Sequence, residues 1–169
     1  MATNLKDVVV ALLGIKTTEI VSCPIVPVQV PGVVAAAYTA NDCVGTVLKL
    51  AVPKRGIIVS ASFWDLSDLN VQYDLEIFNR SITVAGDNAA WSPSDDDMLK
   101  WIDEIPFFTN EDQINSRSYS VRNWGKAYTA PEGFFYIQVL DRSAGTIVAA
   151  NLPKLQLQIQ SYDSSFQES

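Results

Sequence analysis

The clearest signal along the chain is alternation. Val71, Tyr73, Leu75 and Ile77 are separated by Gln72, Asp74 and Glu76, the period-two pattern of a strand with one face in a core and the other in water. The same period recurs at Val44, Thr46, Leu48 and Leu50, and at Ile57, Val59, Ala61 and Phe63. It returns at Phe135, Ile137 and Val139, and at Leu155, Leu157 and Ile159 against Gln156, Gln158 and Gln160, with a further short apolar run at 147–150. Between the runs lie Asn41-Asp42, Pro53-Lys54-Arg55-Gly56, Gly86-Asp87-Asn88, Pro131-Glu132-Gly133 and Ser143-Ala144-Gly145. These residues set turns through a fixed φ, a tolerated positive φ or side-chain hydrogen bonds to nearby backbone. About eight strands so spaced predict an all-β fold, a β-sandwich or jelly roll, over residues 35–169.

Two segments depart from period two and predict one or two short helices. Leu5, Val8, Val9, Leu12 and Leu13 fall on one helical stripe, with Asn4 as a cap and Gly14 as a stop, although three consecutive valines weaken it through lost rotamer freedom. Ser92 as N-cap, Pro93 at the first helical position and Asp95, Asp96 and Asp97 in the first turn predict a second helix, with Met98, Leu99, Trp101 and Ile102 on its buried side, ending before Pro106. Residues 20–34 carry Pro24, Pro27 and Pro31, each fixing φ and pushing its predecessor to extended geometry. Residues 1–34 thus read as an N-terminal arm. Its pieces Ile25-Val26 and Val28-Gln29-Val30 are too apolar for a solvated linker, so the body or another subunit must cover them.

Composition narrows the function. The 169 residues suit one domain, and 19 acidic against 12 basic residues give a formal charge of −7, which disfavours nucleic acid and anionic membranes as partners. The run 8–15 and the sequence Ile20-Val21-Ser22-Cys23 touch on signal and lipoprotein patterns, but Lys16-Thr17-Thr18-Glu19 separates them and Lys6 is balanced by Asp7, so secretion is not expected. No apolar stretch approaches the ~20 residues of a membrane span, and a soluble chain is expected. The two cysteines, Cys23 and Cys43, are too few for a disulfide framework or a cysteine-rich zinc site.

Histidine is absent, which removes the commonest general base and the catalytic triads built on it. Carboxylates would have to carry catalysis, and the densest group is Asp95, Asp96, Asp97, Asp103 and Glu104. A glycosidase needs two carboxyls facing across a cleft, whereas neighbours on one helix point apart and complement its dipole. The same aspartates lack the alternating ligands and mid-loop glycine of an EF-hand. The eight glycines are scattered, with no phosphate-cradling pattern, and Asn79-Arg80-Ser81 reads as an incidental glycosylation match. No enzyme, cofactor or metal is expected. Four tryptophans admit a sugar-binding sandwich, with Trp124 beside Gly125 in an expected loop as first candidate, against the commoner role of aromatics in cores and interfaces.

Residues 35–105 carry a resemblance. Ala-Ala-Ala-Tyr-Thr-Ala-Asn-Asp-Cys-Val-Gly at 35–45, Gly-Ile-Ile-Val-Ser-Ala-Ser-Phe-Trp-Asp-Leu-Ser-Asp at 56–68, Leu-Glu-Ile-Phe-Asn at 75–79 and Asp87-Asn88-Ala89-Ala90-Trp91 before the aspartates follow one another in an order that resembles the capsid decoration, or cement, proteins of tailed bacteriophages. The resemblance implies a jelly-roll body, usually a homotrimer, on the outer capsid surface of the virion, bound to the major capsid protein and carrying no catalytic residues. The expected partner-binding residues are Leu5, Val9, Leu12, Ile25, Val28 and Val30. Two other roles stay open: a structural protein of the neck, tail or baseplate, and a carbohydrate-binding or host-recognition module.

Overall fold

Strands whose alternate residues are apolar can bury those faces only against another such layer, and the chain does so with two antiparallel sheets. The computed structural model describes residues 20–83, 85–148 and 151–162. Its strands are β1 (Ile20–Gln29), β2 (Asp42–Ala51), β3 (Arg55–Asp65), β4 (Tyr73–Phe78), β5 (Trp101–Phe107), β6 (Asn110–Asp112), β7 (Arg117–Thr129), β8 (Phe134–Asp141) and β9 (Lys154–Ser161), with one helical turn, α1 (Asp95–Met98). One sheet has the order β1-β9-β3-β7-β6 and the other β2-β8-β4-β5. With the three-residue β6 set aside, the chain passes between the layers in jelly-roll fashion. The expected all-β sandwich is the observed fold.

The layers meet on aromatic side chains. Phe63 stands 4.7 Å from Tyr73, 5.7 Å from Phe107 and 6.0 Å from Tyr119, ring centre to ring centre, and all four are buried. Tyr128 meets Phe135 edge to face at 4.5 Å. Such tilted and edge-on pairs add about 0.5–1.5 kcal/mol beyond the area they remove from water.

Four of the expectations are corrected. In β3 the inward residues are Ile58, Ala61 and Phe63 rather than an unbroken Ile57-Val59-Ala61-Phe63 row. β3 carries one more residue than β9 between Ile58 and Ser60, and this bulge reverses the phase. The second helix is a single turn capped by Ser94, not Ser92. Trp101 and Ile102 belong to β5, where Trp101 pairs with Phe78 and Pro106 with Asp74. β5 is an edge strand, where a proline without an N–H is tolerated. Met98 and Leu99 are exposed instead of buried. Asp74 and Glu76, expected in water, are 3% and 7% exposed. Finally, the run at 147–150 forms no strand over its described part: Ile147 is buried, its N–H bonded to Ala36 O at 3.0 Å.

Residues 20–29 of the expected arm form the edge strand β1, paired to β9 at 20–23 and 28–29; the body covers Val28 and Val30 but leaves Ile25 and Val26 exposed. The helix expected at 5–13 lies outside the described residues.

The connection between β4 and β5 returns across the outer face of the four-stranded sheet. Residues 88–91 run beside β2, with Cys43 N–H donating to Ala89 O at 2.8 Å, Asn88 N–H to Cys43 O at 2.8 Å and Trp91 N–H to Asn41 O at 2.9 Å. Asp87 anchors this return. Its carboxylate accepts from Gly45 N–H at 2.6 Å, from the Tyr38 hydroxyl at 2.8 Å and from Val34 N–H at 3.1 Å. Gly45 lies in a bulge of β2 at φ +70°, where an added Cβ would stand 2.3 Å from Pro31 O. A side chain there is excluded by both conformation and space.

Replacing Asp87 by alanine strands three donors and is expected to cost about 2–4 kcal/mol; Gly45→Ala is expected to cost at least as much. Urea denaturation of the purified variants checks both, and an unchanged midpoint for either would refute the role given to that residue.

Candidate functional site

The open edge of β1 has an unusual shape. Cys23 pairs with Leu157 and Val28 with Leu155, so residues 24–27 stand opposite Gln156 alone. Two prolines in this stretch supply no N–H to a ladder, and the chain bows outward. Gln156 holds the bow: its Nε2 donates to Pro24 O at 2.8 Å, to Ile25 O at 2.9 Å and to the Ser22 hydroxyl at 2.9 Å. The result is a pinned projection with Ile25 71% and Val26 69% exposed at its crest.

The sequence-predicted partner residues divide accordingly. Ile25 stands in solvent. Val28 is half-buried against the core, and Val30, 1% exposed, is part of the core itself. Leu5, Val9 and Leu12 lie outside the described residues. Val26 was missing from the set although it sits beside Ile25 in the same proline-bounded stretch, and that flanking by Pro24 and Pro27 was the available signal.

The carboxylates expected as one cluster are dispersed into separate structural tasks. Asp97 is buried, accepting from Lys100 Nζ at 2.8 Å, from the Ser94 hydroxyl at 2.8 Å and from Thr83 N–H at 3.2 Å. The Lys100 ammonium above all, with the Ser94 hydroxyl, pulls its pKa down to about 2. Asp95 and Asp96 remain exposed. Asp103 accepts the Trp124 indole N–H at 2.8 Å and faces Lys126 Nζ at 3.6 Å.

Glu104 belongs to a different group on the outer face of the four-stranded sheet. It pairs across strands with Glu76, and Asp74 lies two residues along. Arg142 closes over all three: its Nε donates to Asp74, and Nη2 lies 3.6 Å from Glu76 and 3.8 Å from Glu104. Asn41 Oδ1 accepts from Nη1 at 2.6 Å, and the Trp101 indole N–H donates to Glu76 at 2.8 Å. Burial raises the pKa values of Glu76 and Glu104. Three carboxyls share one guanidinium in adjacent rows of one sheet, which is a covering for that face; a hydrolytic pair needs its carboxyls on opposite sides of a cleft.

Two further aspartates end strands inside the sandwich. Asp65 accepts from Ser67 N–H and Leu69 N–H, both at 2.8 Å, and Asp141 accepts from Ser143 N–H at 2.9 Å and Ala144 N–H at 2.8 Å. Each shapes the loop after its strand, and burial raises both pKa values. Cys23 and Cys43 are buried thiols, and desolvation pushes the Cys43 thiol up to about 12. Among the described residues, no group of three or more cysteine and carboxylate side chains is placed to hold a metal ion.

Trp124 is not in a loop. It lies within β7, in a bulge where residues 123–125 oppose Val59 alone. The ring packs against the core and its N–H is tied to Asp103, so it offers no free platform to a sugar. Comparison with protein-family models, with curated proteins and with solved structures gave no match.

The depressed Asp97 pKa fixes the sign of one pH effect. A carboxylate held below its unfolded value of 3.8 contributes stability that is complete above that value and disappears as pH falls through about 2. Asp97→Asn is therefore expected to be less stable than the parent at pH 7, with the gap closing between about pH 4 and pH 2. Chemical denaturation across that range tests it; a gap independent of pH would contradict it.

Proposed function

We propose that this chain is a structural protein of a tailed-phage virion, a decoration protein that docks on the outer capsid surface as a homotrimer and braces the shell. The observation that carries the reading is the β1 projection. Apolar side chains at Ile25 and Val26 are held out by a glutamine clamp on a rigid sheet edge, immediately after the apolar stretch containing Leu5, Val9 and Leu12. Exposed apolar groups on a fixed backbone lose little conformational entropy on docking, and burying each contributes about 1.5–3 kcal/mol.

Three further features support the reading. The jelly roll recurs in viral shells, although that fold alone names no role. The buried Asp65, Asp97 and Asp141 are engaged in capping strands, loops and one helical turn. The ordered resemblance over residues 35–105 points the same way. A net charge of −7 favours a basic patch on the major capsid protein, acting through orientation and rate of encounter more than through affinity.

Ile25→Asp combined with Val26→Asp is expected to leave the thermal transition nearly unchanged and to weaken binding to undecorated capsids by about a hundredfold, since 1.4 kcal/mol is tenfold. Co-sedimentation of full-length protein with shells measures this, and undiminished binding by the double variant would sink the docking role of the projection. Removal of residues 1–19, which leaves every described strand in place, is expected to weaken capsid binding in the same assay.

A further inference from the structure

The outer face of the five-stranded sheet is lined along β3 and its neighbours by hydroxyl and amide side chains. β3 turns Ser60, Ser62 and Trp64 outward, and each begins a cross-strand row. Ser60 is flanked by Gln158 and Arg122, Ser62 by Gln156 and Ser120, and Trp64 by Lys154 and Ser118. The Ser60 and Ser62 rows carry no carboxylate, while the Trp64 row continues past Ser118 to Glu111 on β6.

Two cations stand on this face, the exposed Arg122 and Lys154, and like Lys49, Lys54, Arg55 and Arg80 they belong to no ion pair among the described residues. Lys100, Arg117, Lys126 and Arg142 are ion-paired. The indoles of Trp101 and Trp124 donate to Glu76 and Asp103, while the partly exposed Trp64, like Trp91, has no side-chain acceptor among the described residues. Between Ser60, Ser62, Ser120, Arg122, Asn123 and Gln158 lies an open depression of about 400 Å³. The β7 bulge forms its wall, with Asn123 at φ 56°. The floor is partly organised already, the Ser60 hydroxyl donating to Gln158 Oε1 at 2.8 Å.

From this placement we infer that the face is a binding site for an acidic saccharide, a uronate-containing oligosaccharide lying along β3. Serine hydroxyls and glutamine amides both donate and accept, and rows about 6.7 Å apart along β3, with neighbours about 4.8 Å apart across the strands, offer such groups repeatedly to a ligand made of hydroxyls. The Trp64 indole supplies the apolar ring face, and Arg122 supplies charge-assisted hydrogen bonds to a carboxylate. A dense phosphate polymer fits worse, because its affinity scales with the number of cations that neutralise it. A second copy of the chain also fits worse, because the centre of a protein interface is apolar and depleted in serine. The site is independent of the capsid reading and would stand if that reading fell.

The test is titration of isotopically labelled full-length protein with galacturonic acid oligomers, maltohexaose and inorganic polyphosphate, followed by amide shifts. The uronate oligomer is expected to shift Ser60, Ser62, Ser120 and Arg122 and the Trp64 indole, with maltohexaose and polyphosphate at least about tenfold weaker. Arg122→Gln, an exposed change that leaves the fold intact, is expected to weaken the uronate by about tenfold or more, and Trp124→Phe to leave it unchanged. The inference is overturned by absence of shifts at millimolar uronate, by equal binding in Arg122→Gln, by polyphosphate binding as tightly as the uronate, or by concentration-dependent self-association that buries this face.

Discussion

Long strands that wrap a shared core must bend, and each bend changes which residues face inward. In this chain the bends are bulges, and the rest of the surface follows from where they fall. The extra residue in β3 moves Ile58 inward ahead of Ala61 and Phe63 and so brings Ser60, Ser62 and Trp64 into one outward line. The β2 bulge places Gly45 N–H under the Asp87 carboxylate, which fastens the β4–β5 connection across the opposite face. The β1 bulge lifts Ile25 and Val26 off the sheet, and the β7 bulge turns Trp124 toward Asp103. Remove the bulges and the layers flatten.

Period-two alternation made most of the strands legible, because β4, β8 and β9 are regular across their length and their inward residues are those that the pattern picks out. The bulges were not legible as such, since one added residue leaves composition unchanged and only shifts the phase. Glycine inside β2 and β7, at positions 45 and 125, and prolines inside β1 were the traces they left. β5 was misread because Met98, Leu99, Trp101 and Ile102 match a helical stripe locally. The strand wins because Trp101 onward completes the ladder with β4, which a longer helix would leave unpaired on that side. The burial of Asp74 depends on Arg142, 68 residues away, and no local pattern carries that.

Of the candidate site, Ile25 was visible as an apolar residue bounded by prolines. Val30 looked equivalent in sequence and is not, because past the bulge the chain rejoins the core. Trp124 drew attention as an aromatic beside glycine, the mark of a loop, yet the glycine serves the bulge. In sequence, serines and glutamines at alternate positions read as ordinary solvated residues; only the juxtaposition of β3, β7 and β9 gathers them on one face.

The clamp on the β1 projection has one more consequence. An exposed edge strand is a template on which another strand can add, and repeated addition leads to fibres. Here residues 24–27 leave the plane of the sheet and contribute two prolines, so a strand arriving from outside finds the ladder interrupted in its middle. The same four residues that hold Ile25 and Val26 in solvent therefore act as a terminator of sheet growth.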